Sequence, residues 1–107
     1  MDELVQRLSA GDHPVTFSRG DSAEELRRSI DRGYVLIKFT DTQGGTELGV
    51  RLDTTTTDLS DADFNQASGA ARLAGNLTLN YVKVRCVADI NLSTLQGKGH
   101  LEILSDS

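Results

Sequence analysis

One cysteine and two histidines are the side chains of this sequence best suited to nucleophilic, proton-transfer or metal chemistry. Cys86 would act as a nucleophile only as a thiolate, which needs a nearby base and an electropositive setting. It shares its parity with Val82, Val84, Ala88 and Ile90, the pattern of a small buried hydrophobe on the inner side of a strand. His13 and His100 are far apart in sequence, with no helical or turn spacing between them. They make no zinc motif, and no metal site is expected. On a short strand His100 is expected to face away from Leu101 and Ile103, beside Glu102 in sequence but not in space. Were it adjacent to Asp89 across a sheet, His100 and Asp89 could form a proton-transfer pair.

The remaining motifs have structural readings. Asp58, Asp61 and Asp63 crowd oxygen ligands together, but the loop glycine and closing bidentate glutamate of an EF-hand are missing, so capping and solvation explain them. Gly44-Gly45 and Gly97-Lys98-Gly99 lack the spacing and following helix of a phosphate loop and read as hairpin turns. Asn76-Leu77-Thr78 and Asn91-Leu92-Ser93 match the N-glycosylation acceptor. The opening Met1-Asp2-Glu3 is acidic where a secretory leader would be basic and then apolar, so these matches read as coincidence. No catalytic residue and no cofactor is expected.

The most suggestive arrangement is the outward row Lys83, Arg85, Val87, Asp89 and Asn91, joined by Arg51 on an earlier strand. Cations around an apolar centre can recognise a carboxylate or phosphate, or an acidic patch on a partner. Arg51, Lys83, Arg85, Val87 and Asp89 are therefore the candidate contact residues.

The elements that must position these residues follow from capping and periodicity. Asp2 to Ala10 carries Leu4, Val5 and Leu8 on one stripe, with Gly11 as a stop. Ser22-Ala23-Glu24-Glu25 is a capping box; Ala23, Leu26 and Ile30 then line one face of a second helix, and Gly33 suits its left-handed end. Glu24, Arg27, Arg28 and Asp31 form its solvated side. Val15 and Phe17 alternate as a short strand after Pro14. Tyr34–Phe39 reads as a central strand, turned by Gln43–Thr46 into a return strand with Leu48, Val50 and Leu52 inward. Residues 54–68, opening with four threonines, read as a surface connection in which Leu59 and Phe64 pin a turn of helix. Alternation then returns, odd through Leu73, Leu77, Leu79 and Tyr81, even from Val82 to Leu92. That flip implies a hairpin turn at Asn80-Tyr81. Residues 93–99 read as another connection, before a last strand over His100–Leu104.

With 107 residues, 37% of them hydrophobic, the chain supports one domain, residues 1–107. A net charge of −5 removes the main driving force for gripping nucleic acid. No apolar run is long enough to cross a bilayer, and a lone cysteine suits a reducing compartment, so a cytoplasmic protein is expected. The expected fold is α+β: an antiparallel sheet of about six strands, with two helices from the N-terminal half on one face and a C-terminal β-meander. A small β-barrel with flanking helices is the alternative. The expected function is that of a small non-catalytic accessory or interaction protein that self-associates or meets a protein partner through an open sheet face. The competing reading is an enzymatic or ligand-binding fold, its curved sheet lined by Tyr34, Phe39, Leu79 and Tyr81, with Arg51 or Arg85 holding a small anion. A turn at Asn80-Tyr81 is expected to leave the sheet open, and a bulge there to curve it around a cavity.

Overall fold

Local capping and strict alternation specify most of the elements. The computed structural model describes residues 3–18, 20, 22–42, 44–53 and 55–105. Met1 and Asp2, Gln43 of the glycine turn and Thr54 of the threonine run lie outside them. Helix α1 spans Glu3–Ser9 and buries Val5 and Leu8. Helix α2 spans Ala23–Arg32: extended Ser22 accepts the Glu25 amide on its Oγ at 3.1 Å, and Gly33 ends the helix at φ 77°. Strands β1 (His13–Phe17), β2 (Tyr34–Phe39), β3 (Thr46–Leu52), β4 (Ala62–Asp63), β5 (Ser68–Leu79), β6 (Val82–Asn91) and β7 (Gln96–Ser105) make up the rest.

The strands do not lie open under two helices. They run β3-β2-β1-β7-β6-β5 with β3 returning to β5, a closed antiparallel barrel of six strands, and β4 adds a seventh strand beside β5. The open sheet is thus corrected to the barrel held as its alternative, while the meander β5-β6-β7 stands. Alternation is the same in a flat sheet and a curled one; what decides between them is which edges meet. At the closing seam Arg51 lies opposite Asn76 and Leu52 opposite Gly75. A side chain at Gly75 would be driven into the Arg51 carbonyl, so only glycine lets β3 approach this closely.

The seam continues where the sequence implied a loose connection. The Asp53 amide bonds the Ala74 carbonyl at 2.8 Å, and Asp58 and Arg72 exchange backbone bonds at 2.8 and 2.9 Å. Between them Thr57 Oγ1 reaches both peptide groups of Ala74. The connection over 54–68 thus touches β5 at Asp58 and through β4, with turns between these points, and β4 stands in place of the expected turn of helix.

Asn80 and Tyr81 form the expected two-residue turn, both at positive φ, 50° and 69°. Such a turn matches the twist of paired strands, so here a turn and a closed barrel coexist. The expected link between turn and openness fails because closure happens at the β3–β5 seam instead. Gly97-Lys98-Gly99 is also not a turn. It lies inside β7, opposite Ile90, Asp89 and Ala88, where a side chain at Gly97 would strike the Asp89 carbonyl.

Inside, Val15, Phe17, Val35, Ile37, Phe39, Leu48, Val50, Leu73, Val84, Cys86, Ile90 and Leu101 join Val5 and Leu8 of α1 and Leu26 of α2 in one apolar cluster. Helix α1 leads into the start of β1, whereas α2 links the end of β1 to the start of β2. Connectivity thus puts them at opposite ends of the barrel.

Candidate functional site

Because inward positions are filled by apolar side chains, any site must be built from outward ones. Register aligns these across the wall: Tyr34 opposite Arg51, Arg51 opposite Asn76, Asn76 opposite Arg85 and Arg85 opposite Glu102. Two residue pairs along, on the same face, Thr78 lies opposite Lys83. Arg51, Lys83 and Arg85 therefore share the outer face of β3, β5 and β6.

Two grooves flank this row. The first, of about 430 Å³, lies over β5, β6 and β7 and gathers Arg72, Arg85, Val87, Asp89, Lys98 and His100. Arg72 grips Asp89 with two hydrogen bonds, Nε at 2.9 Å and Nη2 at 3.1 Å. His100 does not pair with Asp89. Its Nδ1 lies 3.3 Å from Asp12 and its Nε2 3.1 Å from Glu102. The expectation that Glu102 neighbours His100 in sequence only is overturned, since residues two apart on a strand share a face. Arg85 Nε is buried without a hydrogen-bond partner among the described residues. The second groove, of about 390 Å³, lies between β3 and the far end of β5, walled by Tyr34, Gly49, Arg51, Thr78, Lys83 and Leu104. The candidate contact residues thus divide, Arg51 and Lys83 into one groove and Arg85, Val87 and Asp89 into the other.

The proposed ligand pocket does not form. Phe39 is buried in the barrel, whereas Tyr34 and Tyr81 are 49% and 89% exposed on its outside. Burial pushes the Cys86 thiol up to about 12. His13 sits edge-on to Phe39 and holds Asp41 at 2.8 Å through Nδ1. The acidic run caps turns: Asp58 accepts the Ser60 amide, Asp63 accepts those of Asn65 and Gln66, and no metal-binding cluster occurs among the described residues. Hydrogen bonds from the Thr55 hydroxyl at 2.6 Å and amide at 2.9 Å hold the Asp53 carboxyl below the usual carboxylate range, with the charge of Arg85 adding to them. Among the described residues no helix is long and apolar enough to cross a membrane.

No protein-family model matches this chain, and no curated protein is recognisably similar to it. The site has to be argued from its own geometry.

Sequence reasoning missed Arg72, Lys98, Asp12 and Glu102 as members of the first groove. The signal for two of them was present. Counting back equally from a turn at Asn80-Tyr81 puts Arg72 opposite Asp89, and His100 and Glu102 are two apart on one strand.

Proposed function

We propose that this protein is a non-catalytic interaction module that docks an acidic protein partner on the outer face of β3, β5 and β6. The observation that carries this reading is the state of three cations. Arg51, Lys83 and Arg85 share that face, and none of them has an ion pair among the described residues. Carboxylates are not scarce, with sixteen in the sequence, and Arg28 on α2 and Arg72 farther along the outer side of β5 do find partners. Cations left unpaired on a protein of charge −5 favour an anionic partner and steer its approach. The non-catalytic part rests on Cys86, whose protonated thiol faces inward while His100 lies outside.

The test is binding of a fluorescein-labelled poly-glutamate peptide followed by anisotropy at two salt concentrations. Saturable binding is expected, weakened by salt and by the combined R51E, K83E and R85E substitutions, with R28E as a control that leaves it unchanged. Equal binding by the triple variant and the native protein defeats the reading. A narrower alternative, a small-anion site at Arg85, draws on its buried and unpartnered Nε. It predicts a saturable thermal shift with citrate or phosphate that R85A removes and R51A leaves intact.

A further inference from the structure

The seam that closes the barrel is unfinished. Strands β3 and β5 pair only at Arg51–Asn76 and Leu52–Gly75, although β3 continues back to Thr46 and β5 onward to Leu79. Two residues beyond Arg51–Asn76, this register would bring Gly49 opposite Thr78. Instead these two residues stand on the walls of the second groove.

The backbone direction of both walls can be worked out. The Leu52 amide bonds back to Gly33 O, whereas the Asp53 amide bonds forward to Ala74 O. Amides alternate sides along a strand, so odd-numbered β3 residues, Gly49 among them, aim their peptide groups at β5. On β5, Leu79 and Val82 flank a two-residue turn and so exchange hydrogen bonds. Thr78, one residue back, aims its peptide groups away from β6 and toward the groove. The groove is thus walled by two strand edges that face one another and do not meet. Unpaired edges of this kind are templates for an added strand.

The side chains around the edges say what kind of strand. Tyr34 and Leu104, 49% and 51% exposed, supply apolar surface, as does Leu77. Arg51 and Lys83 lie at the groove without ion pairs among the described residues. The outer face at Gly49 is kept low because the Tyr34 hydroxyl rests where a side chain would be.

We infer that the groove between β3 and the end of β5 takes an extended peptide strand whose outward side chains alternate between carboxylates and apolar groups. Backbone hydrogen bonds to Gly49 or Thr78 hold it, carboxylates meet Arg51 and Lys83, and apolar side chains cover Tyr34, Leu77 and Leu104. This rests on the acidic-partner reading and adds the form in which that partner binds.

The probe is an array of seven-residue peptides in which Glu or Asp alternates with Val, Ile, Leu or Tyr at every second residue, so that both kinds share one face, with Ser or Thr between them, the best binder then being titrated in solution. A copy of that peptide N-methylated at alternate residues, made in both registers, keeps its charge but loses ladder donors. Expected are a loss of about tenfold or more on N-methylation in one register, a similar loss for K83E, and a similar loss for T78P. Thr78→Pro removes a peptide N–H that points into the groove and leaves the β5–β6 ladder intact. Should T78P fail to fold, the methylated peptides still decide. Equal binding of plain and methylated peptides, with K83E weakening both, overturns strand addition and leaves the acidic-partner reading standing. Binding by no peptide in the array, or occupation of the groove by a second copy of the chain in solution, also overturns the inference.

Discussion

Cys86 shows how much the setting of a single side chain decides. Its thiol lies on the inner face of β6, and burial raises it to about 12 from an ordinary 9.0. We expect native protein to resist 5,5′-dithiobis-(2-nitrobenzoate) and unfolded protein to react at once. The sign for stability follows. A group whose folded value is raised contributes fully below its unfolded value, so stability should decline as pH climbs past 9.0 toward 12, and C86A should flatten that decline in urea melts. Asp53 works in the other direction. Its carboxyl, held low by Thr55, contributes above the ordinary 3.8 and ceases to as pH falls through the lower folded value. D53N should therefore melt below the native protein at neutral pH, and the gap should narrow as pH falls below 3.8. Parity alone revealed that Cys86 faces inward. The Asp53 turn was not readable, because it depends on Thr55 bending back within a run of threonines that gives no pattern.

At the level of elements, the hairpin between β5 and β6 sets the register of ten residue pairs from one turn. Asn80 and Tyr81 both adopt left-handed φ, which asparagine tolerates and tyrosine does not. Tyr81 is 89% exposed, so its ring recovers little by packing. Y81G should raise stability by about 1 kcal/mol, read as an increased urea midpoint with an unchanged slope. This turn, the alternation on β6 and the caps of α2 were all visible in the sequence, because each is specified by residues within a few positions of one another. The start of β7 was not. Glycines at 97 and 99 imply a turn locally, and only contact with β6 reveals them as strand positions where backbones come close.

For the molecule as a whole, the decisive fact is closure, and it was beyond the reach of a pattern. Ala74-Gly75-Asn76 gives no local sign that another strand will lie against it; the steric need appears only once Arg51 O is in place. The prediction at this scale is Gly75→Val, which should separate β3 from β5. A destabilisation of about 3 kcal/mol or more is expected, with amide protection lost first at Asp53 and Asp58, whose bonds to Ala74 and Arg72 extend the same seam. Protection lost evenly over the whole molecule would mean that the seam is not a separable part of the wall. The candidate face depends on the same closure, since Arg51 reaches Lys83 and Arg85 only across it. Sequence reasoning grouped these residues correctly on outward parity, and could not know that they would divide between two grooves.

The pairing of β1 with β7 has a consequence for how the chain is made. Val15 must wait for Gly97, and Thr16 for Gln96, before the first strand has both neighbours. While a ribosome is still extruding β6, β1 holds β2 on one side and nothing on the other, so the wall cannot seal until the final strand emerges. The nascent chain therefore passes through a stage with sticky rims, and chaperone capture of chains arrested before residue 96 is the natural place to look for it.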